Sequence, residues 1–257
     1  MPDHAAEDTP PRAPSFDLTG KRVVVVGGKE GIGLGVAQAA QTMGAAVTVA
    51  SRRSVSAEER PDLAAFDQVV LDIRDEAAVQ AAFDRIGPFD HLVVTAGPKL
   101  GSWGSFMDAD MRGVRGYLEG KFLGSWACAR HAAPHLLVGG SITLLTGGTA
   151  ARAKLGLAAV TSTFAAVESL SKSLALELAP TRVNTIRPGF IDTDFWDVLP
   201  AESVEEIRAK VRASFPARRL GTAADVGHAA VFLMTNPYVT GTVLEVSGGE
   251  LLVDWIF

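Results

Sequence analysis

Val23-Val24-Val25-Val26-Gly27-Gly28-Lys29-Glu30-Gly31-Ile32-Gly33 is the stretch whose reading decides the fold. Four consecutive valines without polar alternation read as a strand buried on both faces, the pattern of a parallel sheet. Glycines follow at once, and a helical pattern over Ile32–Met43 follows them. A glycine turn after a strand and before a helix is the arrangement that cradles a dinucleotide pyrophosphate. Gly27 permits the tight turn, Gly31 lets the backbone approach the phosphates, and Gly33 lets helix and strand pack closely. Free N–H groups around Ile32 and the positive end of the helix dipole then face the anion.

Outward from this unit, strand and helix signals alternate along the chain. Strands are expected at Val23–Val26, Ala46–Ala50, Val69–Leu71, His91–Thr95, Ser141–Leu145, Val183–Ile186 and Val243–Val246. Helices are expected at Ile32–Met43, Glu76–Ile86, Met111–Leu137, Thr161–Leu178, Val204–Ser214 and Ala223–Leu233. This order implies an α/β fold, a single Rossmann-type doubly wound parallel sheet with helices on both faces and right-handed crossovers. The chain has 257 residues and no internal repeat, so residues 18–257 are expected to form one domain. Residues 1–17, with Pro2, Pro10, Pro11 and Pro14 among small and acidic side chains, read as a flexible tail.

Composition removes several classes of function. With 47% hydrophobic and 21% charged residues the chain can fill a core. A net charge of −5 without a long lysine or arginine run argues against nucleic acid. No apolar run reaches the roughly 18 residues of a membrane span. The amino terminus lacks a basic-then-apolar export signal, so a cytoplasmic setting is expected. The lone Cys128 cannot form an intrachain disulfide and reads as a small core residue. His91, His131, His135 and His228 have no metal-ligand spacing and are read as structural, so no metal is expected.

The second strand ends in Ser51-Arg52-Arg53, where an acidic residue would bond a ribose 2′-hydroxyl and repel a 2′-phosphate. One hydroxyl and two guanidiniums, with Lys29 in the glycine loop, favour a phosphate instead. The expected cofactor is therefore NADP(H).

Gly27-x-x-x-Gly31-x-Gly33, Gly140-Ser141-Ile142-Thr143-Leu144-Leu145-Thr146-Gly147 and Leu174-Ala175-Leu176-Glu177 together resemble the short-chain dehydrogenase/reductase family. The resemblance runs from about Leu18 to Leu252. It implies that Asp72 touches the adenine and that Thr95-Ala96-Gly97 closes the loop after the fourth strand. It further implies that Pro188 and Gly189 border the nicotinamide, whose carboxamide edge Ile191 and Thr193 hold. Gly241-Thr242 and Gly248-Gly249 match the closing turns.

In that family a tyrosine, a lysine four residues on, a serine and an asparagine carry the proton chemistry. The resemblance places these at Val160, Phe164, Gly147 and Lys121, so all four are changed. Only Tyr117 and Tyr238 occur in the chain. Tyr117 stands four residues before Lys121, on the same helical face, and could rebuild an acid with it or simply pack in the core. Lys121 itself could act as an acid with a lowered pKa, anchor an anionic substrate, form an iminium with a carbonyl, or reach the surface from a shifted helix. Thr146 could offer one hydroxyl to a substrate oxygen.

Val160 and Phe164, with Trp103, Phe190, Phe195 and Trp196, suggest a pocket for a flat or apolar substrate. Asp192, Asp194 and Asp197 lie beside these aromatics; Asp194 could steady a cationic substrate or protonate a leaving group, or serve only as a loop cap. The leading expectation is an oxidoreductase with an atypical site, reducing an iminium, activated alkene or carbonyl. Alternatives are a non-redox cyclase, lyase or isomerase, and a non-catalytic NADP-binding sensor or partner subunit. Relatives are usually tetramers, so a homo-oligomer, tetramer or dimer, is expected. The apolar Leu251–Phe257 ending is expected to be covered by a neighbouring subunit or to fold over the cofactor cleft.

Overall fold

The computed structural model describes residues 16–98 and 104–254. Seven strands, β1 (Arg22–Val26), β2 (Ala46–Ser51), β3 (Asp67–Val70), β4 (Phe89–Val94), β5 (Leu136–Leu145), β6 (Arg182–Pro188) and β7 (Val243–Val246), form one sheet. Their order is β3-β2-β1-β4-β5-β6-β7 and every pairing is parallel. The order reverses between β1 and β4, and a crevice opens beyond the strand ends at such a point. The doubly wound expectation holds. Val23–Val26 are each no more than 1% exposed. Burial of each such side chain is worth about 1.5–3 kcal/mol, which is why four valines fix this strand at the centre.

Helices α1 (Gly31–Thr42) and α7 (Ala223–Thr235) cover one face, where Gly35 and Gly227 let the two backbones touch. Helices α2 (Glu76–Ile86), α4 (Gly124–Ala132) and α5 (Ala158–Glu177) cover the other. Helix α6 (Ala201–Ser214) packs with the loop after β6 in a smaller cluster of Phe190, Ile207, Val211 and Phe215.

One expectation is trimmed. The helical stretch expected over Met111–Leu137 runs from α3 (Met111–Leu118) through a π-helical turn (Glu119–Leu123) and α4 into a 3-10 turn (Ala133–His135), while Leu136 and Leu137 already belong to β5. Pro134 has no N–H to continue the ladder, which ends the helix there. Gly124 brings the backbone close against Ile73, where a Cβ would stand 2.8 Å from its Cδ1, and Gly120 packs on Pro98. The expected flexible tail falls mostly on residues 1–15, outside the described residues, and Leu18 is already core, 2% exposed. Trp255–Phe257 also lie outside them; Leu252, just before, is 82% exposed rather than covered within the chain.

Candidate active site

Parallel register brings the carboxyl ends of β1, β2, β4, β5 and β6 to one edge: Val26 stands beside Ala50 and Val94, and Leu145 beside Ile186. A cavity of about 590 Å³ runs along that edge. At one end lies the glycine loop. Gly27 has φ of 89°, and a Cβ there would stand 2.7 Å from the Ala96 nitrogen, so only glycine fits this turn. Helix α1 starts inside the cavity at Gly31, Ile32 and Gly33, and its N-cap residue Glu30 makes no side-chain cap bond. The first N–H groups of a twelve-residue helix therefore face open space. A pyrophosphate fits such a cradle, because uncapped donors and the helix dipole both favour an anion.

Beyond the loop, Ser51, Arg52 and Asp72 line the cavity, whereas Arg53 does not. The Arg53 carbonyl instead accepts hydrogen bonds from Lys29 Nζ and from Ser51 Oγ (2.9 Å). Lys29 is 8% exposed, and burial followed by the nearby Arg53 and Arg60 guanidiniums lowers its pKa. Cations crowded in this way gain from a bound phosphate. Arg60 donates to the Lys29 carbonyl at 3.0 Å, a contact the sequence gives no sign of. Asp72 is held by Arg74 at 3.0 Å, whose hydrogen bonds keep its carboxyl below the usual range. Its carboxylate is thus engaged by a guanidinium as well as facing the cavity.

At the other end stand Ala96, Gly97, Tyr117 and Lys121. The π-helical turn turns Lys121 inward, where it is 4% exposed and donates to the Ala96 carbonyl at 3.1 Å. No carboxylate forms an ion pair with it among the described residues, and burial lowers its pKa to about 8. The surface-reaching alternative is excluded by this burial. Tyr117 is 4% exposed, packs on Phe164 with ring centroids 6.2 Å apart, and makes no hydrogen bond with Lys121. Burial raises its pKa. The expected Tyr117–Lys121 couple is not formed, although both line the cavity.

Thr146 also needs correction. Its hydroxyl donates to Glu168 Oε1 at 3.0 Å, and Glu168 is clasped by Arg187 at 2.9 and 2.7 Å. The Thr146 proton is therefore committed to a buried carboxylate, leaving only acceptor capacity for a ligand.

Val160, Leu157 and Tyr117 pack together with Phe164, whose ring closes on Gly147. Across the cavity, Phe190 stacks on Trp196 at 4.7 Å, Phe195 meets Trp196 edge-on at 5.3 Å, and Asp194 sits beside them. Asp192 is turned away into a salt bridge with Arg208 at 2.8 Å. Pro188, Gly189, Ile191 and Thr193 line the same wall. Trp103 lies outside the described residues. His91 bonds Ser141 at 2.9 Å in the core, where burial lowers its pKa to about 4, in keeping with a structural role. No grouping of metal-ligating side chains occurs among the described residues, and no helix among them is long and apolar enough to cross a membrane. One polar pair on the cavity wall, Lys154 and Glu250 at 2.8 Å, belongs to no motif read from the sequence.

A family model described as Enoyl-(Acyl carrier protein) reductase matches residues 26–250. The short-chain dehydrogenase/reductase ucsE of Acremonium sp is 32% identical over 257 residues, 91% of this chain and 97% of that one. A crystal structure of a small-chain dehydrogenase in complex with NADPH superposes with a TM-score of 0.80 at 34% identity, over 91% of this chain and 99% of that one. The MalC Reductase/Diels-Alderase from Malbranchea aurantiaca gives a TM-score of 0.83 at 26% identity, over 92% and 98%.

Proposed function

The chain belongs to the short-chain dehydrogenase/reductase family, and from that membership we propose that it is an NADP(H)-dependent oxidoreductase with an atypical reacting end. The observation that carries this reading is one cavity joining the α1 glycine cradle to a buried lysine that has no carboxylate partner among the described residues. Gly27, Gly31, Ile32 and Gly33 would hold the pyrophosphate, and Lys29, Ser51 and Arg52 the 2′-phosphate. The adenine would lie by Asp72, and the nicotinamide between Ala96-Gly97 and the Pro188–Thr193 segment. Bound there, NADPH supplies a hydride.

The chain's own residues limit what can receive it. Val160 and Phe164 hold the places of the family's tyrosine and lysine, and neither side chain can hand over a proton. Lys121, whose pKa burial lowers to about 8, stands where the family has an asparagine and lines the cavity as a candidate acid. An apolar wall facing an aromatic one suits a flat substrate, and Phe164, Trp196 and Phe190 would exclude water around it. A substrate that is already electron-poor, such as an iminium, an activated alkene or a conjugated carbonyl, needs least from a single acid.

A second reading is templated, non-redox chemistry in the same cavity. It is favoured by the scarcity of proton donors on the Val160–Phe164 wall and by the likeness to a reductase that is also named a Diels-Alderase.

Calorimetric titration with NADPH and NADH tests the first step. Micromolar or tighter NADPH binding with a clear preference over NADH is expected, and Arg52→Asp should weaken NADPH at least tenfold more than NADH. Equal weakening of both, or no binding of either, would remove the cofactor assignment. Transfer of deuterium from labelled cofactor to product then separates reduction from templating.

A further inference from the structure

Lys121 is an amine shut inside the cavity with little to hold it in its charged form. Its stem passes Gly97, where a Cβ would stand 2.9 Å from Lys121 Cδ, so the glycine leaves room for it. The π-helical turn Glu119–Leu123 carries it there, and such turns, which interrupt the regular helical ladder, gather at functional sites. Nζ bonds the neutral Ala96 carbonyl at 3.1 Å, and no carboxylate pairs with it among the described residues. Of the carboxylates on the cavity wall, Asp72 is engaged by Arg74 at 3.0 Å and Glu250 by Lys154 at 2.8 Å. Tyr117 and Cys128, buried in the same helical stretch, have raised pKa values and bring no negative charge. Burial lowers the Lys121 pKa to about 8. About a tenth of such an amine is neutral at pH 7, against about 1 in 3,000 for an ordinary lysine.

A buried ammonium without a counter-charge is costly, and an amine that can shed its proton beside a cavity is a nucleophile. We propose that Lys121 condenses with the aldehyde of a conjugated enal, and that the iminium so formed is the electron-poor acceptor that hydride reaches. The Nζ lone pair attacks the carbonyl carbon, the C=O bond breaks, and its oxygen leaves as water with the two amine protons. A proton from solvent then makes the nitrogen cationic, which draws electrons from the β-carbon as a protonated carbonyl would. Hydride addition there leaves an enamine, with NADPH as the source of the two electrons. A solvent proton at the α-carbon restores the iminium, and water releases the saturated aldehyde and the free amine. No proton donor at Val160 or Phe164 is called for. An aldehyde, with only hydrogen on one side of its carbonyl, is the carbonyl that a side chain 4% exposed can reach. The acid role and this one use the same amine in its two protonation states. The inference rests on the reading of the cavity as a cofactor-and-substrate cleft, and narrows its substrates to flat, conjugated aldehydes.

The test treats the full chain with trans-cinnamaldehyde and sodium cyanoborohydride in the absence of NADPH, then maps the reduced adduct by mass spectrometry. Lys121 is expected to carry it at least about tenfold above the exposed Lys172 and Lys210, following its larger neutral fraction. Lys121→Met removes the amine, and Lys121→Arg keeps a cation that cannot condense. Both should bind NADPH in calorimetry yet lose the cinnamaldehyde-dependent oxidation of NADPH expected of the parent chain. Labelling of Lys121 no greater than that of Lys172, no such oxidation by a parent chain that binds NADPH, or oxidation retained in either variant would each overturn the proposal. A chain that forms the Lys121 adduct but fails to bind NADPH would instead overturn the cofactor reading, and leave Lys121 as an aldehyde site.

Discussion

Lys121 holds a charge in a place that resists it. In the unfolded chain this amine titrates near its ordinary 10.5, and in the folded protein near 8. Between those values the unfolded chain binds a proton that the folded protein does not, so stability rises with pH across that window. Below about pH 8 both states are protonated and the full burial cost is present, of the order of 3 kcal/mol. Lys121→Met should therefore stabilise the protein by about 1–3 kcal/mol at pH 7, with the gain shrinking towards pH 10. Urea unfolding at the two pH values measures this. A variant less stable than the parent at pH 7 would mean that Lys121 supports the fold through its bond to Ala96 rather than being tolerated for its chemistry. The same residue should lose activity on Lys121→Ala under the acid role proposed for it.

Between elements, the informative contact is that of the β5 end with α5. Gly147 and Phe164 are mutually dependent: a Cβ on Gly147 would stand 2.7 Å from the Phe164 ring. Gly147→Ser should cost about 1–3 kcal/mol through overpacking, and in a Phe164→Ala background the added cost should nearly vanish. A double-mutant cycle by thermal unfolding checks this; strict additivity would show that the loop after β5 relaxes away from the ring. This coupling also marks what could be read from the sequence. The seven strands are legible because apolar, β-branched runs are local signals, and the glycine turn between β1 and α1 is legible because consecutive residues set it. The helix over Met111–Leu137 was overextended because the π-helical turn at Glu119–Leu123 and the stop at Pro134 interrupt an apolar pattern that otherwise continues. The commitment of Thr146 to Glu168, and the Lys154–Glu250 pair, were not legible. Their partners are 22 and 96 residues away, and no spacing rule links them.

Seen as a whole, the protein leaves apolar side chains exposed along the outer side of the α3–α4 region. Met111, Leu118, Leu123 and Trp126 are 59, 40, 47 and 47% exposed, and Trp126 stands edge-on to Phe122 at 5.9 Å. A large ring held in a fixed orientation but half uncovered is the kind of anchor that dominates association energies. Closed symmetric assembly would cover the same patch on each copy at once. The expected occupant is therefore a second copy of the chain, in line with the dimer or tetramer anticipated from the family resemblance. Trp126→Glu would place a charge in the middle of that contact and should lower the mass measured by light scattering to that of a smaller species. Residues of this chain line the cavity from the glycine loop to Lys121 and Glu250. Dissociation should consequently leave NADPH affinity within about threefold of the parent, well under the 1.4 kcal/mol that a tenfold change represents. A variant that dissociates and also loses NADPH would show that neighbouring copies brace the β5–α5 wall of each cavity. An unchanged mass would assign the exposed face to a different partner.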